Sequence, residues 1–414
     1  MYIVNSNDNQ PKEMYLNRDA EQTLRQLSQW YPIVAVTGPR QSGKTTLVRH
    51  LMADKAYITL EELDQREFAG TDPRGFLSQY PDGAIFDEIH HVPTLLSYLQ
   101  TMVDNDRRKG LFILTGSQQF GLRDHLAQTL AGRVGLLELL PLSLSELFRR
   151  NEPVTLAEQL WLGGYPRIRI EGIPPAIWLS DYINTYLERD VRRLLNVRNL
   201  GSFQRFLRMC AARTGQLLNL SALAADCGIT HNTAKEWVSV LEASYIIYLL
   251  QPYHQNLGKR LVKTPKLYFL DTALAAWLVN VKSPEELALG NLRGPLFESL
   301  VVGEILKWRL NRRQNKDIYF WRDSNGHEID LLIEEDGSLL PIECKAGQTV
   351  ATDWFGGIEK FLDITGSDQA WLIYGGDQKQ QRKRVSVIGW QGLAAAMDLP
   401  NGSPTGQAVG IGKM

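Results

Sequence analysis

The sequence has little cysteine. Three in 414 residues (Cys210, Cys227 and Cys344) are too few and too scattered for a disulfide framework or a paired-cysteine zinc site. So thiol-poor a chain fits a reducing compartment, and a cytoplasmic location is the expectation. No run approaches the roughly 20 apolar residues of a bilayer span, and the opening MYIVNSNDNQPKEMYLNR lacks the basic-then-apolar order of a secretory leader. A membrane partner is therefore not expected. An excess of one charge is missing too: Lys+Arg 45 against Asp+Glu 46 gives a net charge of -1. That balance excludes a wholly basic, histone-like binder but permits a local basic face. No repeat of solenoid length is present.

What is present is ordinary globular composition, 44% hydrophobic and 22% charged, which supports sizeable cores. At roughly 150 residues per domain the length predicts two to four domains. Apolar runs at 33–38 (IVAVTG), 57–62 (YITLEE), 84–88 (AIFDE), 111–117 (LFILTGS) and 136–143 (LLELLPLS) alternate with helical stretches. Such alternation predicts βαβ units around a buried parallel sheet. After Pro141 strand signals almost vanish until about residue 245. LNLSALAADCG ends on a helix-capping glycine, Gly228, and ITHNTAKEWVSVLEAS opens on Thr230 as N-cap. A strand-like stretch follows, so the whole reads as a winged helix-turn-helix. From about Gly294 an amphipathic helix, strands (IYFWRD, EIDLLIEE, SLLPIECKA), a helix (WFGGIEKFLDIT) and two more strands predict a second α/β unit.

Gly38-Pro39-Arg40-Gln41-Ser42-Gly43-Lys44-Thr45 fits G-x-x-x-x-G-K-[ST] in full, between a strand and a helix. The glycines let backbone N–H groups and the helix N-terminus face phosphates. Lys44 then bridges the terminal phosphates of ATP, the Thr45 hydroxyl ligates Mg²⁺, and Thr46 continues the phosphate-binding turn. In AIFDE, Asp87 is placed to hold Mg²⁺ through water and Glu88 to polarise the attacking water. Ser117 ends the next strand, where it would sense or position that water; a solvated loop serine is the competing reading. Arg133 precedes the following strand and is an arginine-finger candidate acting on a neighbouring subunit's nucleotide, with an ordinary surface arginine as competitor. His90 and His91 read as loop residues rather than metal ligands.

VTGPRQSGKTTL, FDEIHHVP, LTGSQQF and AGRVGLLELLPLSLSE resemble the AAA-type ATPases widespread in bacteria and archaea, whose C-terminal half is uncharacterised. The likeness continues through GGYPR, YLERDVRRLL, KRLVKTPKLYFLDTAL and GPLFESLVVGEIL, over about residues 15–395. It departs at Ala273, where the family has glycine, which implies a small change of turn geometry. The resemblance implies ATPase chemistry at Gly38, Gly43, Lys44, Thr45, Asp87 and Glu88, and homo-oligomeric rings, hexamers among them.

Glu298 on a helix, Asp330 on one strand, and Glu343 and Lys345 on the next resemble a restriction-endonuclease-like core. Alternation puts Glu343 and Lys345 on one strand face, and such a set can hold Mg²⁺. A charged hairpin of a non-catalytic domain would show the same letters. Cys344 reads as a strand filler.

Arginines and lysines concentrate between 185 and 316. The nucleic-acid reading takes Arg189, Arg192, Arg193, Lys259, Arg260 and Lys263 as phosphate contacts, with Lys266 in the same basic wing cluster, and His231, Asn232 and Lys235 as contacts to bases or phosphates. LKWRLNRRQNK is a third basic cluster.

The sequence thus predicts an α/β multidomain chain: an AAA-type ATPase domain (1–148), a helical lid or connector (149–200), a winged helix (201–285), a restriction-endonuclease-like domain (286–398) and a disordered tail (399–414). The expected function is an ATP- and Mg²⁺-dependent ATPase acting on DNA, with branched, forked or end structures in view. The alternatives are a nucleotide switch that docks a partner protein, as in toxin or defence systems, and an ATP-regulated nuclease.

Overall fold

The computed structural model describes residues 15–117, 129–187, 200–253, 263–335 and 337–399. Near the N-terminus, β1 (Ile33–Thr37), β2 (Ala56–Thr59), β3 (Ala84–Asp87), β4 (Phe112–Gly116) and β5 (Val134–Glu138) form a sheet in the order β2-β3-β4-β1-β5. Every pairing in it is parallel. β1, β3 and β4 are buried along their whole length, as expected of continuous Val/Ile/Leu/Phe runs covered on both faces. One face packs into a core with Phe76, Phe86, Leu99 and Phe112, the other into a core with Leu24, Val36, Leu47 and Ile113. β1 lies between β4 and β5, so the loop leaving its carboxyl end opens at a switch point of the sheet, where ligands bind in open α/β folds.

The middle is helical. The helices Leu200–Ala211, Leu220–Cys227 and His231–Ala243 are accompanied by three strands: β6 (Gln216–Leu217) between the first two helices, and β7 (Ile247–Pro252) and β8 (Lys266–Phe269) after the third. β8 pairs antiparallel with both β6 and β7. Asn219 caps the second helix by accepting from Ala222 N–H, and Gly228 ends it in the left-handed region at φ 65°. Thr230 caps the third by accepting from Thr233 N–H.

The C-terminal part begins with the long helix Arg293–Asn311, followed by β9 (Ile318–Arg322), β10 (Glu328–Glu335), β11 (Ser338–Lys345), β12 (Ala370–Tyr374), β13 (Gln380–Arg382) and β14 (Val385–Gly389). These strands form a mixed sheet. β7 and β9 join it to the middle part through two parallel residue pairs, Gln251↔Tyr319 and Pro252↔Phe320. Units that the sequence separates near 285 therefore share one sheet, and one core runs from Leu140 through Trp237 and Leu300 to Trp371. Strand periodicity shows which face is buried but not which edge pairs with which, so this join has no local signature. Ala273 is the second residue of the helix Thr272–Leu278, a position that demands no special backbone.

Among the described residues no helix is long and apolar enough to cross a membrane. The tail beyond 399 lies outside them, as do Arg189, Arg192, Arg193, Lys259 and Arg260.

Candidate active site

The loop after β1 is shaped by its glycines. Gly38 has φ +150°, and a Cβ there would sit 2.1 Å from the Leu139 carbonyl. Gly43 has φ +92° and is the N-cap of the helix Lys44–Leu51, a conformation that glycine adopts without the Cβ penalty. Pro39, Arg40, Ser42 and Lys44 are buried, while Thr46 is exposed on the first turn. Lys44 Nζ donates to the carbonyls of Gly38 (3.1 Å) and Pro39 (2.8 Å), curling over the loop. Burial pulls its pKa down, partly offset by the Glu88 and Asp87 charges.

Asp87 ends β3 and is the hub of the site. Its Oδ1 accepts from Thr45 Oγ1 at 3.0 Å, its Oδ2 accepts from Tyr57 OH at 2.7 Å, and Thr115 Oγ1 also donates to it. The hydroxyl and carboxylate of a Mg²⁺ site are thus already side by side. The residues fit the ion in another respect as well: Ser42 is buried, and its Oγ has no hydrogen-bond partner among the described residues. Glu88 occupies the left-handed region at φ 54°, ψ 47°. Such backbone strain in a non-glycine residue concentrates at functional sites. Its N–H donates to Thr115 Oγ1, and its Oε2 accepts from Ser117 N–H (3.1 Å) and Ser117 Oγ (3.2 Å). Burial would raise the Glu88 pKa. The adjacent His90, with Nδ1 3.0 Å from Oε2, and Lys44 outweigh it and bring the carboxyl down to about 2.

Three contributors carry no local sequence signal. Arg18 is buried; its Nε donates to Glu146 Oε1 (3.0 Å), Nη1 to the Ser42 carbonyl (2.8 Å) and Nη2 to the Leu140 carbonyl (2.7 Å). It clamps the phosphate loop to the segment after β5. Trp178 Nε1 donates to Gln41 Oε1 at 3.0 Å, and Gln41 itself has φ 60°. His90, read from sequence as a loop residue, lies against Glu88.

Arg133 is at the other end of the sheet. Its carbonyl accepts from Ile33 N–H at the start of β1, and its guanidinium forms a two-pronged pair with Asp104. It does not adjoin the phosphate loop of its own chain, and paired with Asp104 it has the placement of an ordinary surface arginine.

The C-terminal candidates do converge: Tyr268 OH donates to Glu298 Oε2 (3.2 Å), Cys344 N–H to Asp330 Oδ2 (2.9 Å), and Lys345 Nζ to Glu343 Oε1 (2.7 Å). Lys266, read from the sequence as part of the basic wing cluster, is instead buried among them, 3.8 Å from both Glu298 Oε2 and Asp330 Oδ1 and paired with Glu328. Among the described residues no group of three or more His, Cys, Asp or Glu is arranged to hold a metal ion. The Lys266 ammonium lies among the carboxylates that the sequence reading gave to Mg²⁺.

The basic surface divides. His231, Asn232, Lys235 and Lys263 are exposed. The third cluster is spent internally. Lys307 pairs with Glu304 and donates to the Leu142 carbonyl, Arg309 pairs with Glu335, Arg312 with Asp398, and Lys316 with Glu138. The Lys307–Leu142 and Lys316–Glu138 contacts, with Leu144 N–H donating to Glu304 Oε2 (2.7 Å), fasten the C-terminal part to the N-terminal domain, while the Arg309 and Arg312 pairs stay within the C-terminal part.

A parallel sheet with a glycine-shaped phosphate loop beside a paired Thr45 and Asp87 defines a P-loop ATPase of the AAA class. Residues 31–148 match a family model described as an AAA domain, and 154–285 and 293–393 match two domains of unknown function, DUF8612 and DUF4143. The chain is 31% identical over 345 residues to an uncharacterized protein of Mycobacterium tuberculosis, spanning 80% of this chain and 74% of that one, and it belongs to that family of AAA-type ATPases. An uncharacterized protein of Methanocaldococcus jannaschii is 24% identical over 369 residues, spanning 80% and 78%. Similar solved structures include the Walker-type ATPase PABY2304 of Pyrococcus abyssi (17% identity, 64% of this chain and 97% of that one, TM-score 0.44). Another is RuvB of Thermotoga maritima (19% identity, 56% and 86%, TM-score 0.26).

Proposed function

We propose that the chain hydrolyses ATP with Mg²⁺ and uses the nucleotide cycle to act on DNA through a winged-helix middle and a nuclease-like C-terminal part. The observation that carries the hydrolytic reading is the convergence of Lys44, Thr45, Asp87, Glu88 and Ser117 at the carboxyl edge of one sheet. Lys44 and the loop N–H groups hold the phosphates, Thr45 and Asp87 hold Mg²⁺, and Ser117 and His90 fix the Glu88 carboxylate for a water. Mg²⁺ held by Thr45 and Asp87 would supply charge neutralisation for the transferring phosphoryl group. Arg133 acts in a neighbouring subunit of a homo-oligomer, once released from Asp104.

Two hydrogen bonds link this site to the middle part. Gln41 of the loop accepts from Trp178, and Thr37 at the end of β1 is 3.2 Å from the Tyr245 hydroxyl, just after the 231–243 helix. A change in loop conformation on nucleotide binding is therefore felt by the helix that exposes His231, Asn232 and Lys235. These side chains, with Lys263, suit a largely phosphate-contacting, shape-reading surface.

The test is ATPase activity in the presence of single-stranded, duplex, forked and four-way DNA. Stimulation by one class supports the reading. No stimulation by any class, together with a stoichiometric protein partner on purification, would replace it with a partner-docking switch. Lys235→Ala should weaken DNA binding about equally across sequences and lower the slope of log affinity against log salt by about one; an unchanged slope would remove Lys235 from the interface.

A further inference from the structure

A nuclease-like core would be expected to gather its carboxylates around a divalent metal. Here they gather around a lysine. Lys266 projects from β8, in the middle part, and its side chain is 4% exposed. Its ammonium contacts Glu328 and lies 3.8 Å from Glu298 and Asp330, with the Phe320 ring beneath it at 5.6 Å. Most of the other polar atoms in reach have partners, while Glu343 Oε2 is buried with no hydrogen-bond partner among the described residues. Asp330 Oδ2 takes the Cys344 N–H, Glu298 Oε2 takes the Tyr268 hydroxyl, Glu328 pairs with Arg322, and Glu343 pairs with Lys345. Tyr268 is two residues from Lys266, so one face of β8 supplies both groups that engage Glu298.

Position matters as much as charge. Among the described residues, the strand ladder joining the middle part to the C-terminal sheet has two residue pairs, between β7 and β9. The ion cluster lies across the same join, tying β8 to β10 and to the 293–311 helix. That helix is itself anchored to the ATPase domain six residues further on, through Glu304. A buried charge set of this kind holds only while the opposite charge is present, because removing one partner leaves uncompensated charge in a poorly solvated place. Burial, with the neighbouring Asp330 charge, raises the pKa values of Glu298 and Glu343, and the surrounding carboxylates raise that of Lys266 against the effect of its own burial.

We propose that the Lys266 ammonium is the resident cation of the Glu298–Glu328–Asp330 cluster, which latches the middle part to the C-terminal sheet and takes no divalent metal. The latch does not depend on whether the protein acts on DNA, so failure of either proposal leaves the other standing.

Two measurements on the full chain test it. In the first, Mn²⁺ is titrated by electron paramagnetic resonance without nucleotide, in an Asp87→Asn background that removes the ATP-site carboxylate. The expected result is no tightly bound ion, and no change on adding Asp330→Asn. A bound Mn²⁺ that Asp330→Asn abolishes would overturn the proposal. This arm requires no change at Lys266 itself, so it stands even where the lysine variant fails to fold. In the second, melting temperatures are compared for Lys266→Met, Glu298→Gln and the double variant. Lys266→Met should lower the midpoint, and adding Glu298→Gln should restore part of the loss, because it removes one of the stranded charges. Simple addition of the two single losses would show that the groups are not coupled and that the latch is wrong.

Discussion

Replacing Lys44 by alanine should lower ATP turnover by about 10³-fold, the scale set by removing a charged, preorganised donor from the reacting phosphates. Lys44 is buried and held over the loop by the Gly38 and Pro39 carbonyls, so its position is set by the loop and not by solvent. Glu88→Gln provides the complementary measurement. It keeps the shape of the side chain and removes the base, so ATP should still bind while turnover falls by about 10²–10⁴-fold. Steady-state phosphate release paired with equilibrium nucleotide binding separates the two. Unchanged turnover in Lys44→Ala would dismiss the phosphate-loop assignment. Loss of binding in Glu88→Gln would mean that this residue shapes the site instead of acting on water.

The second large effect is expected at Arg18, far from any motif. Its guanidinium neutralises Glu146, which is fully buried and also accepts from the N–H groups of Asp19 and Ser143. Truncation to alanine leaves that carboxylate buried without its counter-charge, which costs about 3–5 kcal/mol. It also frees the Ser42 and Leu140 carbonyls, so nucleotide affinity should fall along with stability. Arg18→Lys should rescue little, because a point ammonium cannot serve three acceptors arranged around a planar fork. Denaturant unfolding checks the first part and nucleotide titration the second. A variant within about 0.5 kcal/mol of the native protein would show that the clamp is ordinary surface chemistry.

Much of the ATP site was legible in the sequence because its geometry is local. A strand, a glycine turn and a helix N-terminus put Gly38 to Thr46 in place within ten residues, and Asp87 and Glu88 follow from a strand ending on carboxylates. Glu146 could also have been noticed, since Ser143 and Glu146 form a capping box. Nothing nearby named its partner Arg18, 128 residues earlier. The same reason hid Trp178 and the acidic partners of Lys266, which the sequence grouped with the basic wing. A lone tryptophan in a helix and a lone lysine in a strand look alike whether they face solvent or another element. The basic stretch around 305–316 misled in the opposite direction: Lys307, Arg309, Arg312 and Lys316 resemble a nucleic-acid face when counted, and they are consumed by acidic partners when folded.

By itself, then, the sequence determined a parallel-sheet ATPase domain with its phosphate loop, the helical middle and the mixed C-terminal sheet, because periodicity, capping and glycine placement act over a few residues. Only the tertiary structure decided that the middle and C-terminal parts share a sheet, that Arg18 and Trp178 brace the phosphate loop, and that a lysine stands where a metal was expected. Those outcomes depend on which distant charges and strand edges meet. Meeting is a matter of long-range packing, where burial turns each unmatched charge into a cost that the fold must settle.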